Sequence, residues 1–282
     1  MFTTLITATQ LREATSALVV DCRFDLMQTT RGAQAYLAGH VPGALYAHLD
    51  DHLSGPAVTD HGRHPMPTPA RLCEVFSALG ITHERQVVCY DDLNGAMAAR
   101  LWWLLRYMGH ARVAVLDGGW PAWLAAGGPV ETGAVMPVPA VFTGHPHRER
   151  LVTLADLPTQ QPALVDARDP GRFRGEVEPM DPRAGHIPGA RNHCWKLNLA
   201  STGNFLPPAA LREALRQSLS TLPDASTVHY CGSGVTACHN VLAQVHAGLP
   251  EPRLYGGSWS EWCADPDRPA ALGEWLPEHL RK

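Results

Sequence analysis

Three short stretches of this chain occur twice at nearly constant spacing, and that duplication restricts the fold more than any other feature. Leu164-Val165-Asp166-Ala167-Arg168 repeats Val19-Val20-Asp21-Cys22-Arg23, and Gly185-His186-Ile187-Pro188-Gly189-Ala190 repeats Gly39-His40-Val41-Pro42-Gly43-Ala44. The two histidines stand 146 residues apart. Gly256-Gly257-Ser258-Trp259-Ser260-Glu261-Trp262 answers Gly118-Gly119-Trp120-Pro121-Ala122-Trp123. Solenoid periods are about 20–50 residues, so this spacing describes two copies of one domain. With 282 residues, each copy is long enough to bury its own core without disulfides or metals.

Within each copy, short apolar runs alternate with helical stretches, which predicts a parallel α/β sheet covered on both faces. In the first copy Leu18–Arg23, Gln86–Tyr90 and Val113–Asp117 read as strands, and Ala96–Met108 as a helix. Gly39 stops a helix and Pro42-Gly43 forces a turn. The stretch from Ser54 to Pro67, with His61, Gly62, Arg63 and His64, is a polar loop, after which Thr68 caps a helix with Pro69 at its first position. A Gly- and Pro-rich stretch without periodicity separates the copies. The expected division is a first domain over 1–127, a linker over 128–150 and a second domain over 151–282.

One loop carries the chemistry. Thr227-Val228-His229-Tyr230 reads as a strand, Cys231-Gly232-Ser233-Gly234-Val235-Thr236 as a tight turn, and the residues through His246 as a helix. Glycines let the backbone curl so that successive N–H groups converge, and the helix adds its positive end. Such a cradle holds an anion on or beside Cys231 and makes its thiol a candidate nucleophile. In the first copy Tyr90-Asp91 falls where Tyr230-Cys231 falls, so a carboxylate replaces the thiol.

Composition narrows the alternatives. The net charge of −4 gives no reason to expect nucleic acid or a membrane surface as partner, and no apolar run is long enough to span a bilayer. The N-terminus lacks a signal-peptide pattern. Seven scattered cysteines without metal-ligand spacing predict reduced thiols, no metal site and a cytoplasmic address. A cysteine phosphatase would need an arginine where this loop has Ala237.

The repeated Asp-x-Arg strand, the repeated Gly-His-x-Pro-Gly-Ala turn and the Gly-Gly-Trp segments together resemble the tandem-domain rhodanese family of sulfurtransferases. The resemblance spans nearly the whole chain and implies two domains, each a mostly parallel five-stranded sheet. The first would be silent through Asp91, and the second active through Cys231. Cys-Gly-Ser-Gly-Val-Thr is similar to the loop of the family's 3-mercaptopyruvate branch, whereas thiosulfate users usually carry Arg and Lys where Gly232 and Ser233 stand here.

On that resemblance Arg172 matches the arginine that binds the donor's carboxylate, Arg183 is a candidate second one, and His40 is the histidine that reaches the loop serine, Ser233. Gly232, Gly234, Val235 and Thr236 would complete the donor site. The carboxylate that finishes a Ser-His-Asp relay in that branch has no counterpart in Thr29-Thr30-Arg31-Gly32, and Asp25 is only nearby.

The activity implied is transfer of a sulfane sulfur from 3-mercaptopyruvate, through a Cys231 persulfide, to a thiol, thioredoxin or cyanide. Thiosulfate is the alternative donor, and a non-enzymatic rhodanese-like binding module is the non-catalytic alternative. No metal or organic cofactor is needed, and a monomer suffices.

Overall fold

Mostly buried runs of three or four residues form the centre of two five-stranded sheets in the computed structural model, which describes residues 1–56, 62–157 and 163–274. The first sheet contains β1 (Leu5–Ile6), β2 (Leu18–Asp21), β3 (Leu45–Tyr46), β4 (Val87–Tyr90) and β5 (Val113–Leu116) in the order β1-β5-β4-β2-β3. The second contains β6 (Leu151–Val152), β7 (Leu164–Asp166), β8 (Arg191–Asn192), β9 (Val228–Tyr230) and β10 (Arg253–Tyr255) in the order β6-β10-β9-β7-β8. Shifting each number by five converts one order into the other, so the duplication seen in sequence is a duplication of topology.

Every strand pairing is parallel. Parallel strands need helical crossovers that cover the sheet, which is why β2, β4, β5, β7 and β9 are buried at every position rather than at alternate ones. The chain divides into two compact units. Unit 1 holds Met1–Pro56, Met66–Arg148 and Leu199–Phe205. The described part of unit 2 is 62–65, 149–157, 163–198 and 206–274.

The repeated motifs meet one another in space, which explains their joint presence. In unit 1 the Arg23 guanidinium binds Asp21, with Nε at 2.9 Å and 3.1 Å from its two oxygens, and Nη2 donates to the Gly39 carbonyl at 2.6 Å. The Tyr90 hydroxyl donates to Asp21 at 2.7 Å, and the guanidinium lies over the Trp120 ring at 5.0 Å. In unit 2 Arg168 repeats the arrangement on Asp166, on the Gly185 carbonyl at 2.7 Å and over Trp259 at 5.0 Å. A buried charge pair is tolerated when its groups find further hydrogen-bond partners, and here both pairs find one by fastening the Gly-His-x-Pro-Gly-Ala turn to the sheet.

Two local expectations shift. The helix expected from Ala96 runs Ala98–Tyr107, because the Met97 and Ala98 amides are engaged by Asp91. Much of the expected linker lies along unit 1. Glu131 bridges to His40 through backbone bonds of 2.9 and 3.0 Å, Ala140 donates to Ser77 at 2.9 Å, and buried Phe142 packs edge-on against Phe76. Thr68 caps the helix Pro69–Ala78 as expected, accepting from the Arg71 amide at 3.2 Å. His61 of the polar loop lies outside the described residues.

Candidate active site

β9 ends at Tyr230, and the chain turns through 231–235 into the helix Thr236–His246. In open parallel sheets the C-terminal ends of the strands are where ligands bind. Gly234 sits at φ +77, in the left-handed region, with its α-carbon against the backbone of Gly256. A Cβ there would stand 3.1 Å from the Gly256 carbonyl carbon and overlap its oxygen. Glycine is therefore required at 234 for conformation and for space.

The Cys231 side chain is 2% exposed, and its Sγ accepts the Gly234 N–H at 3.1 Å. The segment after β10 braces the loop. The Cys231 amide donates to Ser258 Oγ at 3.1 Å, and the carbonyls of Cys231 and Gly232 accept from Trp259 and Ser260 at 3.0 and 2.9 Å. Val235 is buried at the turn, and Thr236 is half-buried as the first residue of the helix.

The histidine on Ser233 is His64, with Nδ1 at 2.7 Å from Oγ and both side chains buried. This corrects the expectation for His40. That ring is buried in unit 1, its Nδ1 on the Tyr36 carbonyl at 2.8 Å and its plane stacked on Tyr36 at 4.2 Å. His186 has the matching place in unit 2, with Nδ1 on the Phe173 carbonyl at 2.8 Å and its ring stacked on Phe173. The repeated histidines thus hold turns, whereas His64 comes from the unrepeated loop. That loop is anchored in unit 2 by the Arg63 amide on Ser260 Oγ at 3.1 Å and by Gly62 at φ +80 against Gly257.

Two guanidiniums flank Gly232. A Cβ at that position would lie 2.9 Å from Arg63 Nη2 and 3.4 Å from Arg172 Nη1. Arg172 is on the short helix Pro170–Arg174 and is held by Glu178, through Nε at 3.2 Å and Nη2 at 2.7 Å. Its Nη2 also reaches Asp181 Oδ2 at 3.0 Å, and Arg63 Nη1 binds Asp181 Oδ1. Burial pushes the Asp181 pKa up, against the opposing pull of Arg63.

Arg183 does not join this group. Its guanidinium donates to the carbonyls of Pro266 and Arg268 at 2.9 and 2.6 Å, staples that segment and lies over Trp259. The second guanidinium beside Gly232 is thus Arg63, so the cations missing from the loop sequence arrive from other segments.

The corresponding loop of unit 1 is filled by its own anion. Asp91 Oδ1 accepts the amides of Leu93 and Gly95 at 2.8 Å each, and Oδ2 accepts those of Met97 and Ala98 at 2.7 and 2.8 Å. A cradle of converging N–H groups is an anion site, and here a fixed carboxylate saturates it. Of the other cysteines, burial pushes Cys22 and Cys89 well up and Cys194 and Cys263 up to about 11, so these four remain protonated thiols at neutral pH.

A rhodanese-like domain is matched at residues 6–126 and again at 151–265. The chain belongs to the rhodanese family. The two rhodanese domains resemble proteins with both donor preferences. A Pseudomonas aeruginosa protein named "Probable 3-mercaptopyruvate sulfurtransferase" is 50% identical over 281 residues, covering 96% of this chain and 98% of that one. The thiosulfate sulfurtransferase of Cricetulus griseus is 34% identical over 253 residues, with coverages of 86% and 84%. The structure of 3-mercaptopyruvate sulfurtransferase from Leishmania major superposes with a TM-score of 0.83 at 34% identity, covering 92% of this chain and 74% of that one.

The structure brings Ser233 and Arg172, both expected on the family resemblance, to the Cys231 loop together with Arg63, His64, Glu178 and Asp181, which were not expected there from the sequence. The Gly62-Arg63-His64 triplet in a polar loop was the available signal for two of them. Nothing in its spacing points to a partner 169 residues away.

Proposed function

We propose that this protein transfers a sulfane sulfur from 3-mercaptopyruvate to a thiol, thioredoxin or cyanide through a persulfide on Cys231. The Cys231 thiolate attacks the donor's sulfur. The carbon–sulfur bond breaks, its electron pair passes to the departing pyruvate enolate, and a proton completes pyruvate. The outer sulfur stays on Cys231 until an acceptor nucleophile removes it and regenerates the thiolate. The N–H groups of the loop hold negative charge on sulfur at both stages, a preorganised role that needs no rearrangement during the step.

The Ser233–His64 contact of 2.7 Å carries the choice of donor. A keto-acid donor leaves as an enolate that must take a proton, and a serine hydroxyl bonded to an imidazole beside the nucleophile can relay one. Thiosulfate leaves as sulfite and needs no such relay. Arg63 and Arg172 beside Gly232 suit the planar carboxylate of the donor, which arginine binds through paired N–H groups.

Cys231, Ser233, His64, Arg63 and Arg172 all belong to unit 2 of one chain, which supports catalysis by a monomer. The free cysteines favour a reducing, cytoplasmic setting, and no helix among the described residues is long and apolar enough to cross a membrane.

Steady-state rates with the two donors test the reading. 3-Mercaptopyruvate should give the larger kcat/KM, and a larger value for thiosulfate would overturn the assignment of donor. Intact mass after incubation with donor alone should show one added sulfur on Cys231 and none in the Cys231→Ser variant.

A further inference from the structure

Six side chains of unit 2 form an alternating ladder of charge that ends beside the nucleophile. Asp166 pairs with Arg168, Arg168 with Glu178, Glu178 with Arg172, Arg172 with Asp181, and Asp181 with Arg63. Three carboxylates balance three guanidiniums. A donor carboxylate bound at Arg63 and Arg172 would leave the ladder with one excess negative charge in a mostly buried setting, which is costly unless another anion gives way.

The three carboxylates are not equally anchored. Asp166 accepts the Arg168 amide as well as its guanidinium. Glu178 accepts the amides of Met180 and Asp181 at 3.0 and 3.1 Å besides its two arginines. The Asp181 carboxylate, although only 2% exposed, has just two hydrogen-bond partners among the described residues, the guanidiniums of Arg63 and Arg172. These are the two groups nearest Gly232. Arg63 Nε is also buried without a partner among the described residues, so this guanidinium has donor capacity that Asp181 does not use.

We propose that Asp181 occupies the carboxylate seat between Arg63 and Arg172 and exchanges with the carboxylate of the sulfur donor. This rests on the reading above that the donor carries a carboxylate. Asp181 is then a specificity-setting residue. It keeps both guanidiniums aligned next to Cys231, and it makes every incoming anion compete with an internal one. Glu178, tied to its own loop, stays in place and keeps Arg172 oriented during the exchange. No covalent bond changes; one carboxylate replaces another on the same two cations.

The test uses alkylation of Cys231, which requires no sulfur transfer. Iodoacetate carries a carboxylate and iodoacetamide does not, so the ratio of their rates on the Cys231 peptide, followed by mass spectrometry, reports how strongly the seat recruits an anion. Asp181→Asn keeps the shape and removes the internal competitor, and it should raise that ratio on the order of tenfold, the value of one charge-assisted hydrogen bond. Arg63→Met should lower it below that of the native protein. The KM for 3-mercaptopyruvate should fall in Asp181→Asn. An unchanged or lowered iodoacetate preference in Asp181→Asn, with native thermal unfolding, would overturn the proposal by showing that Asp181 only braces the arginines. If Asp181→Asn unfolds, acetate or propanoate protection of Cys231 in Asp181→Glu decides instead. Weaker protection than in the native protein supports exchange, because the longer side chain holds the seat, and equal protection refutes it. Absence of sulfur transfer from 3-mercaptopyruvate would refute the functional reading without moving the alkylation ratio.

Discussion

Replacing Gly234 by alanine tests whether the Cys231 loop depends on one backbone conformation. Gly234 sits at φ +77, and its added Cβ would lie 3.1 Å from the Gly256 carbonyl carbon while overlapping the oxygen. The left-handed conformation costs a non-glycine residue about 1–2 kcal/mol. Forcing a methyl group into a packed backbone contact adds about 1–3 kcal/mol. The sum of about 2–5 kcal/mol should lower the unfolding temperature of the second domain by roughly 10 °C or more. Relief of the clash moves the 234 amide away from Cys231 Sγ, now 3.1 Å distant. Losing one preorganised donor to a developing anion costs about 100-fold or more in rate.

Gly232→Ala provides the contrast, since that position is not left-handed and its Cβ would meet a side-chain atom, Arg63 Nη2 at 2.9 Å, rather than backbone. It should raise KM and leave the melting temperature near native. Differential scanning calorimetry combined with persulfide formation, read by mass spectrometry, separates the two variants. A Gly234→Ala protein with native melting temperature and a rate within about threefold of native would refute the role given to this glycine.

Three further outcomes follow from the geometry. His64→Ala should cut kcat with 3-mercaptopyruvate by about 100-fold, the usual scale of a proton relay, while a stacked His40→Asn loses stability in unit 1 and keeps kcat; the reverse ranking in steady-state assays would restore His40 to the chemistry. His229 is fully buried against Gln244, and desolvation holds its pKa down to about 4, against 6.5 for an exposed imidazole. The unfolded chain therefore binds a proton that the folded one refuses, so stability is full above about pH 6.5 and falls as pH drops towards 4, by about 3 kcal/mol for this group. Urea unfolding of native and His229→Gln proteins at pH 7 and 5 should show a shallower loss in the variant. Asp91→Ala strands four buried amides at a cost of about 1–3 kcal/mol each before water relieves them, and circular dichroism should show unit 1 melting first; an unchanged transition would refute the view that this carboxylate holds its loop together.

The fold and the conformation of the Cys231 loop were legible because both rest on local signals. Buried parallel strands are continuous apolar runs, as in Val87-Val88-Cys89-Tyr90, and a left-handed turn before a helix demands glycine, as at Gly234. Arg172 came from the family resemblance alone, carried by Gly171-Arg172-Phe173. His40 misled because it belongs to a repeated turn, and its copy His186 does the same structural work on Phe173. Arg183 misled because a surface guanidinium and a site guanidinium look alike in sequence, and only the carbonyls of Pro266 and Arg268 reveal its use.

The sequence by itself determined that there are two copies of one α/β domain, that the first has a carboxylate where the second has a thiol, and that Cys231 stands in a glycine turn at the head of a helix. Those features depend on residues close together along the chain, where conformation and periodicity are encoded. The tertiary structure alone decided which distant side chains meet the loop that carries that thiol. It set His64 on Ser233, and it joined Arg63 to Arg172 through Asp181 beside Gly232. Such contacts arise from the long-range return of an irregular loop, which carries no periodicity and whose partners are chosen by charge and space.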